Sequence, residues 1–197
     1  VVEADTATTH VVAATRFVPT TEHLLYGVLL VVALGLRVFA LGKLFYTPLE
    51  ATNSWSAWLD AMALQVVNSP LPVSALLHSL QTGLFWLFDG GANDSVGNLL
   101  GRLPVALAGT LIVLLPWYWR NVLGRWAALV LAVLLAIDPW LLTLGRMADG
   151  AVLSAAFGLA ALTALHVAMG NARIGKDNAG ATASAAVALG LLLASGV

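Results

Sequence analysis

The sequence predicts an all-α, polytopic membrane protein, and three observations carry that prediction. Of 197 residues, 60% are hydrophobic and 10% charged, with a mean hydropathy of +0.90. Globular domains carry roughly a quarter charged residues, so a soluble fold would lack the polar surface to solvate itself. The apolar residues gather in runs of nearly twenty. At about 1.5 Å per residue, such a helix crosses a ~30 Å hydrocarbon layer with every backbone group bonded internally. The cations collect in short turns between the runs. A soluble enzyme, a nucleic-acid binder and a disordered tail are excluded, and a net charge of −1 attracts no polyanion. Zero cysteines exclude a disulfide framework and thiolate metal sites.

In chain order, residues 1–23 are a polar lead-in rich in Thr and Val, without the cationic segment and short apolar core of a signal peptide. Five spans follow, at about 24–41, 103–119, 126–144, 151–169 and 181–197. The last run is still apolar at Val197, which reads as a piece of a longer polypeptide. A further apolar stretch, 71–88, carries Pro72, Ser74, His78, Ser79, Gln81 and Thr82. That polar load predicts a helix lying at the interface, because such groups are costly facing lipid at mid-depth. Residues 43–102 then form one long loop holding juxtamembrane amphipathic helices. One is expected from about 52 to 67, capped by Thr52 or Asn53, with Trp55, Trp58, Leu59 and Met62 on one face at headgroup level. Asp138-Pro139 marks a helix break near an interface. The small-residue tract 170–186, with Arg173, Lys176 and Asp177, reads as a solvated loop.

Lys and Arg in short loops set orientation. The turn from Arg120 to Arg125 has two cations and no acid, and 173–177 has two cations and one acid, so both belong in the cytoplasm. Loop 43–102 and the turn 146–150 then lie outside. Arg37, near the end of the first span, is expected to snorkel to the interface. His78 and His166 lie inside apolar helices, where an interhelical hydrogen bond is a commoner role than ligation of haem or a pigment metal.

Two acids stand out as candidate chemistry. Glu50 precedes the expected amphipathic helix, and Asp149 follows Arg146 at the outer end of two spans. Their bland roles are a favourable place at a helix dipole, a cap and a local ion pair. Their functional role follows if both loops share one side: Glu50 would act as base toward an acceptor hydroxyl, Asp149 would help to place a divalent metal or the acceptor, and Arg146 would contact a phosphate.

The order of these features resembles the GT-C glycosyltransferases, nearest to bacterial relatives of protein O-mannosyltransferases and aminoarabinose transferases. The resemblance rests on an acid before an aromatic helix in the first outer loop, Ser69-Pro-Leu entering a Leu- and Phe-rich helix, Arg102-Leu-Pro-Val-Ala-Leu-Ala-Gly109, Gly124-Arg125, Asp138-Pro139, and Arg146 with Asp149. It runs from about 24 to 197. It implies a multi-pass protein of a bacterial-type plasma membrane that moves a sugar from a polyprenyl-phosphate carrier to an acceptor on the outer side. Glu50 matches the second acid of the family's first-loop pair and Asp149 the acid of the second loop, while Ser69 stands at the carrier-phosphate position. The first acid of the pair is replaced by Leu49, and the His or Lys of the phosphate position by Ser69. The alternative is a non-catalytic scaffold subunit of a larger membrane complex, including one that bears pigment or haem. Partners implied are membrane lipids, the lipid-linked sugar and partner subunits.

Overall fold

The computed structural model describes residues 21–62, 74–88, 94–173 and 179–195, and every element among them is helical. In order they are α1 (Thr21–Val38), a 3-10 turn (Leu41–Lys43), α2 (Pro48–Ala61), α3 (Ala75–Phe88), α4 (Asp94–Ile112), α5 (Leu115–Leu123), α6 (Arg125–Ile137), α7 (Pro139–Leu144), α8 (Gly150–Arg173) and α9 (Ala179–Ala194). Among the described residues three stretches are long and apolar enough to cross a membrane: Thr21–Lys43, Val96–Leu123 and Gly150–Met169. At 14 residues, α3 reaches only about 21 Å.

Several boundaries differ from the sequence reading for identifiable reasons. The lead-in ends earlier, since α1 begins at Thr21. The span expected at 103–119 begins at Asp94, so the final turns of the expected loop 43–102 are helix, and Leu100 in them is already core. That helix stops at Ile112 because Pro116 cannot donate to the amide ladder. Val113 and Leu114 instead bond back to Thr110 and Leu111 at 3.1 and 3.0 Å, and α5 restarts with the proline in its first turn. The 126–144 span is broken in two at Asp138, whose carboxylate accepts the Leu141 N–H at 2.8 Å and caps α7. Between α5 and α6, Gly124 has φ of 88°, a turn that a side chain would strain. Of the tract 170–186, the described residues 170–173 and 179–186 are helical, with α8 running to Arg173 and α9 starting at Ala179, and 174–178 lie outside the described residues.

α4 is the central element. Its Val105, Ala108 and Ile112 pack with Leu77 of α3 and Val152 and Leu153 of α8. Beyond its end, Val113 joins Tyr26 and Ala33 of α1 with Ala132 and Ala136 of α6. Ala128, Ala132 and Ala136 recur every four residues and are fully buried, a ridge small enough for close helix approach. A third cluster unites Ala57, Phe85 and Leu100, tying α2 and α3 to the start of α4.

Arg37 does not snorkel. It is fully buried, with Nη1 donating to Ala33 O at 3.1 Å and Nη2 to Leu135 O at 3.4 Å. Glycines make the room: a Cβ on Gly109 would lie 3.1 Å from Arg37 Nε, and one on Gly145 3.3 Å. Gly109→Leu is therefore expected to lower the melting temperature in detergent well beyond Gly35→Leu, whose Cβ would meet nothing within 4 Å.

Because Phe45 and Asn121 are both exposed and the chain has no cysteine, single cysteines can report sidedness. Phe45→Cys is expected to react with an impermeant thiol reagent in intact cells and Asn121→Cys only after permeabilisation. The opposite pattern inverts the orientation read from the cations.

Candidate functional site

The site is built where α2, α4 and the turn before α8 meet. Thr47-Pro48-Leu49-Glu50 starts α2 with a capping box: Thr47 Oγ1 accepts the Glu50 N–H at 3.3 Å, and the Glu50 carboxylate accepts the Thr47 N–H at 2.8 Å. This corrects the expected start of the helix 52–67 and its Thr52 or Asn53 cap, while residues 63–67 lie outside the described residues. Pro48 favours an earlier start, and Glu50 stands in the first turn rather than ahead of it.

The carboxylate of Glu50 has a second set of partners. Oε1 accepts Arg102 Nε at 3.4 Å and the Ala148 N–H at 2.5 Å, and Oε2 accepts Arg102 Nη2 at 3.3 Å. Both side chains are almost fully buried. Burial pushes the carboxyl up, but the Thr47 and Ala148 amides and the Arg102 guanidinium outweigh it and hold Glu50 below the usual carboxylate range. Arg102 spends its other donors on the connection from α1, reaching Leu41 O at 3.3 Å and the carbonyls of Leu44 and Phe45 at 2.9 Å each. Its guanidinium lies 4.5 Å over the Tyr46 ring. The Tyr46 hydroxyl donates to Gly97 O at 3.2 Å, and burial, which disfavours the phenolate, pushes its pKa above the ordinary tyrosine value. Gln81 of α3 donates to Gly101 O at 2.7 Å.

The sequence candidates therefore separate. Glu50 and the 146–149 turn do meet, through the Ala148 amide. Asp149 is exposed and stands immediately before α8, with no ion pair among the described residues. Arg146 turns to Phe39 O, with Nη2 at 2.5 Å, and makes no ion pair with Asp149 among the described residues. Ser69 lies outside the described residues. The expected divalent metal between Glu50 and Asp149 does not fit this donor set. Four donors already occupy the Glu50 oxygens, and no three His, Asp or Glu side chains gather as a metal-ligating group among the described residues.

Sequence reasoning missed Arg102 as the partner of Glu50, although an arginine inside an apolar helix is a signal of a buried polar function. It also missed Asp60, whose Oδ2 lies 2.8 Å from His78 Nε2 across α2 and α3. Beside that pair a groove of about 450 Å³ is lined by Ser79, Thr82, Gly83 and Trp86. His166 stacks on Trp119 with ring centroids 5.0 Å apart. No family model, curated protein or solved structure matches the chain.

Arg102→Ala would strand the Glu50 carboxylate in the interior and is expected to cost about 3–5 kcal/mol, the usual consequence of removing one member of a buried pair. A thermal melt in detergent checks it. A carboxyl held below its unfolded value, about 4.3, gives stability that is fully present above that pH and lost as pH falls through the folded pKa. The melting temperature is thus expected to drop below about pH 4.3, with Glu50→Gln flattening that drop.

Proposed function

We propose that this chain is a polytopic, GT-C-like plasma-membrane protein that handles a polyprenyl-phosphate-linked sugar at the end of the bundle where Glu50 lies. The observation that carries the reading is the hydrogen bond from the Ala148 amide to Glu50. It joins the loop bearing the first acid to the turn bearing the second, as a shared outer site requires. On this reading the two acids divide the labour. Glu50 is a positioning residue, its oxygens already engaged by Thr47, Arg102 and Ala148. Asp149 is exposed and one residue beyond the anchored amide, which supports reading it as the base.

In that mechanism Asp149 takes the proton of an acceptor hydroxyl, whose oxygen forms a bond to the anomeric carbon. The bond from that carbon to the carrier phosphate breaks, and its electron pair leaves with the polyprenyl phosphate. Arg146 sits in the same turn as the phosphate contact. A general base of this kind contributes about 10²–10⁴-fold, so Asp149→Asn is expected to slow transfer by at least about a hundredfold with the melting temperature unchanged. The assay is transfer of radiolabelled sugar from its polyprenyl-phosphate carrier in membrane vesicles holding the full chain.

One observation favours the scaffold reading: Leu49, at the place of the family's first acid, is 55% exposed beside a carboxylate that is fully engaged. On that reading Asp149→Asn is silent, the wild type shows no turnover, and the chain leaves mild detergent in stoichiometric association with partner subunits.

A further inference from the structure

At the end of the bundle that carries Arg120 and Arg125, α1 and α5 enclose a pocket unrelated to Glu50. Tyr26, Gly27 and Leu30 of α1 line it opposite Leu114 and Trp117, and its volume is about 320 Å³. Its polarity is graded along the helix axis. At the mouth, the Arg120 guanidinium stands 3.9 Å over the Trp117 ring, and His23 packs against the same ring with centroids 4.8 Å apart. One turn further in lies Tyr26, edge-on to Trp117 and only 7% exposed, whose hydroxyl has no hydrogen-bond partner. Beyond it the lining is Leu30 and Leu114. A Cβ on Gly27 would meet nothing within 4 Å, so the space beside Tyr26 is open.

Depth and charge identify the occupant. Residues 23 to 30 span about 10 Å of helix rise, starting near one end of the apolar stretch Thr21–Lys43. That distance runs from headgroup level to the first methylenes of an acyl chain. Glu22 is paired with Arg125, whereas Arg120 makes no ion pair among the described residues. Among the described residues the mouth therefore holds two arginines against the one carboxylate of Glu22, a single positive charge in excess that suits an anionic headgroup. A cation over a ring face keeps N–H donors for a phosphate. The orphan hydroxyl requires an acceptor, because an unbonded polar group in apolar surroundings is costly. We propose that this pocket binds one anionic phospholipid, its phosphate on Arg120, its ester carbonyl accepting from the Tyr26 hydroxyl and its acyl chain along Leu30 and Leu114.

The test uses the full chain reconstituted in bilayers of equimolar phosphatidylglycerol and phosphatidylcholine of identical acyl chains, then extracted gently and weighed intact by native mass spectrometry. One phosphatidylglycerol per chain is expected to survive extraction in preference to phosphatidylcholine. Arg120→Gln is expected to reduce that preference about fivefold, the effect of one cation beside an anionic headgroup. Gly27→Leu fills the pocket without altering charge and is expected to abolish retention of either lipid while the melting temperature holds, so a folding defect cannot imitate the result. Equal retention of both lipids, retention that survives Gly27→Leu, or recovery of a polyprenyl phosphate in place of phospholipid would each overturn the proposal. None of these readouts involves sugar transfer.

Discussion

The contact between Arg102 and Glu50 determines how one end of this bundle is built. Two charges with almost no solvent exposure are tolerable only with their remaining donors and acceptors engaged, and here they are. Through the guanidinium, the connection from α1 to α2 is fastened by three of its carbonyls. Through the carboxylate, the start of α2 is fastened to the turn before α8. Removing either partner therefore releases several of these backbone attachments at once, and the 146–149 turn is among the segments they hold.

The two buried arginines solve one problem differently. Arg102 has a carboxylate, whereas Arg37 is held by main-chain carbonyls in a slot kept open by Gly109 and Gly145. Arg37 is consequently the more sensitive to shape and Arg102 the more sensitive to charge. Both sit on helices apolar enough to span a membrane, where the alternatives to such satisfaction are snorkelling or a water-filled cavity.

Helical character and its approximate placement were legible in the sequence, because hydropathy and length act locally. Glu50 stands out from its position before an aromatic segment, and it is the acid the structure buries and engages. What Glu50 does there was not legible. Its partner lies 52 residues away and its last donor is a main-chain amide, which no side-chain pattern encodes. The start of α2 was misjudged because Trp55 and Trp58 drew attention to a later register, although Thr47-Pro48-Leu-Glu50 spells a capping box. Arg37 was misjudged for the opposite reason. A terminal position in its own helix suggested escape to water, but α6 approaches so closely that Leu135 O receives it instead.

The order in which the chain is made bears on the Ala148 hydrogen bond. Glu50 is synthesised 98 residues before the amide that completes its coordination. At translation rates of about 5–20 residues per second, that interval is about 5–20 s. During it the nascent α2 must hold its carboxylate with the capping box and, once α4 emerges, with Arg102 alone. The turn carrying Asp149 thus arrives on a receptor already assembled from earlier chain. A ribosome-stalled intermediate ending shortly before Ala148 would have its charge pair in place and its surface still open.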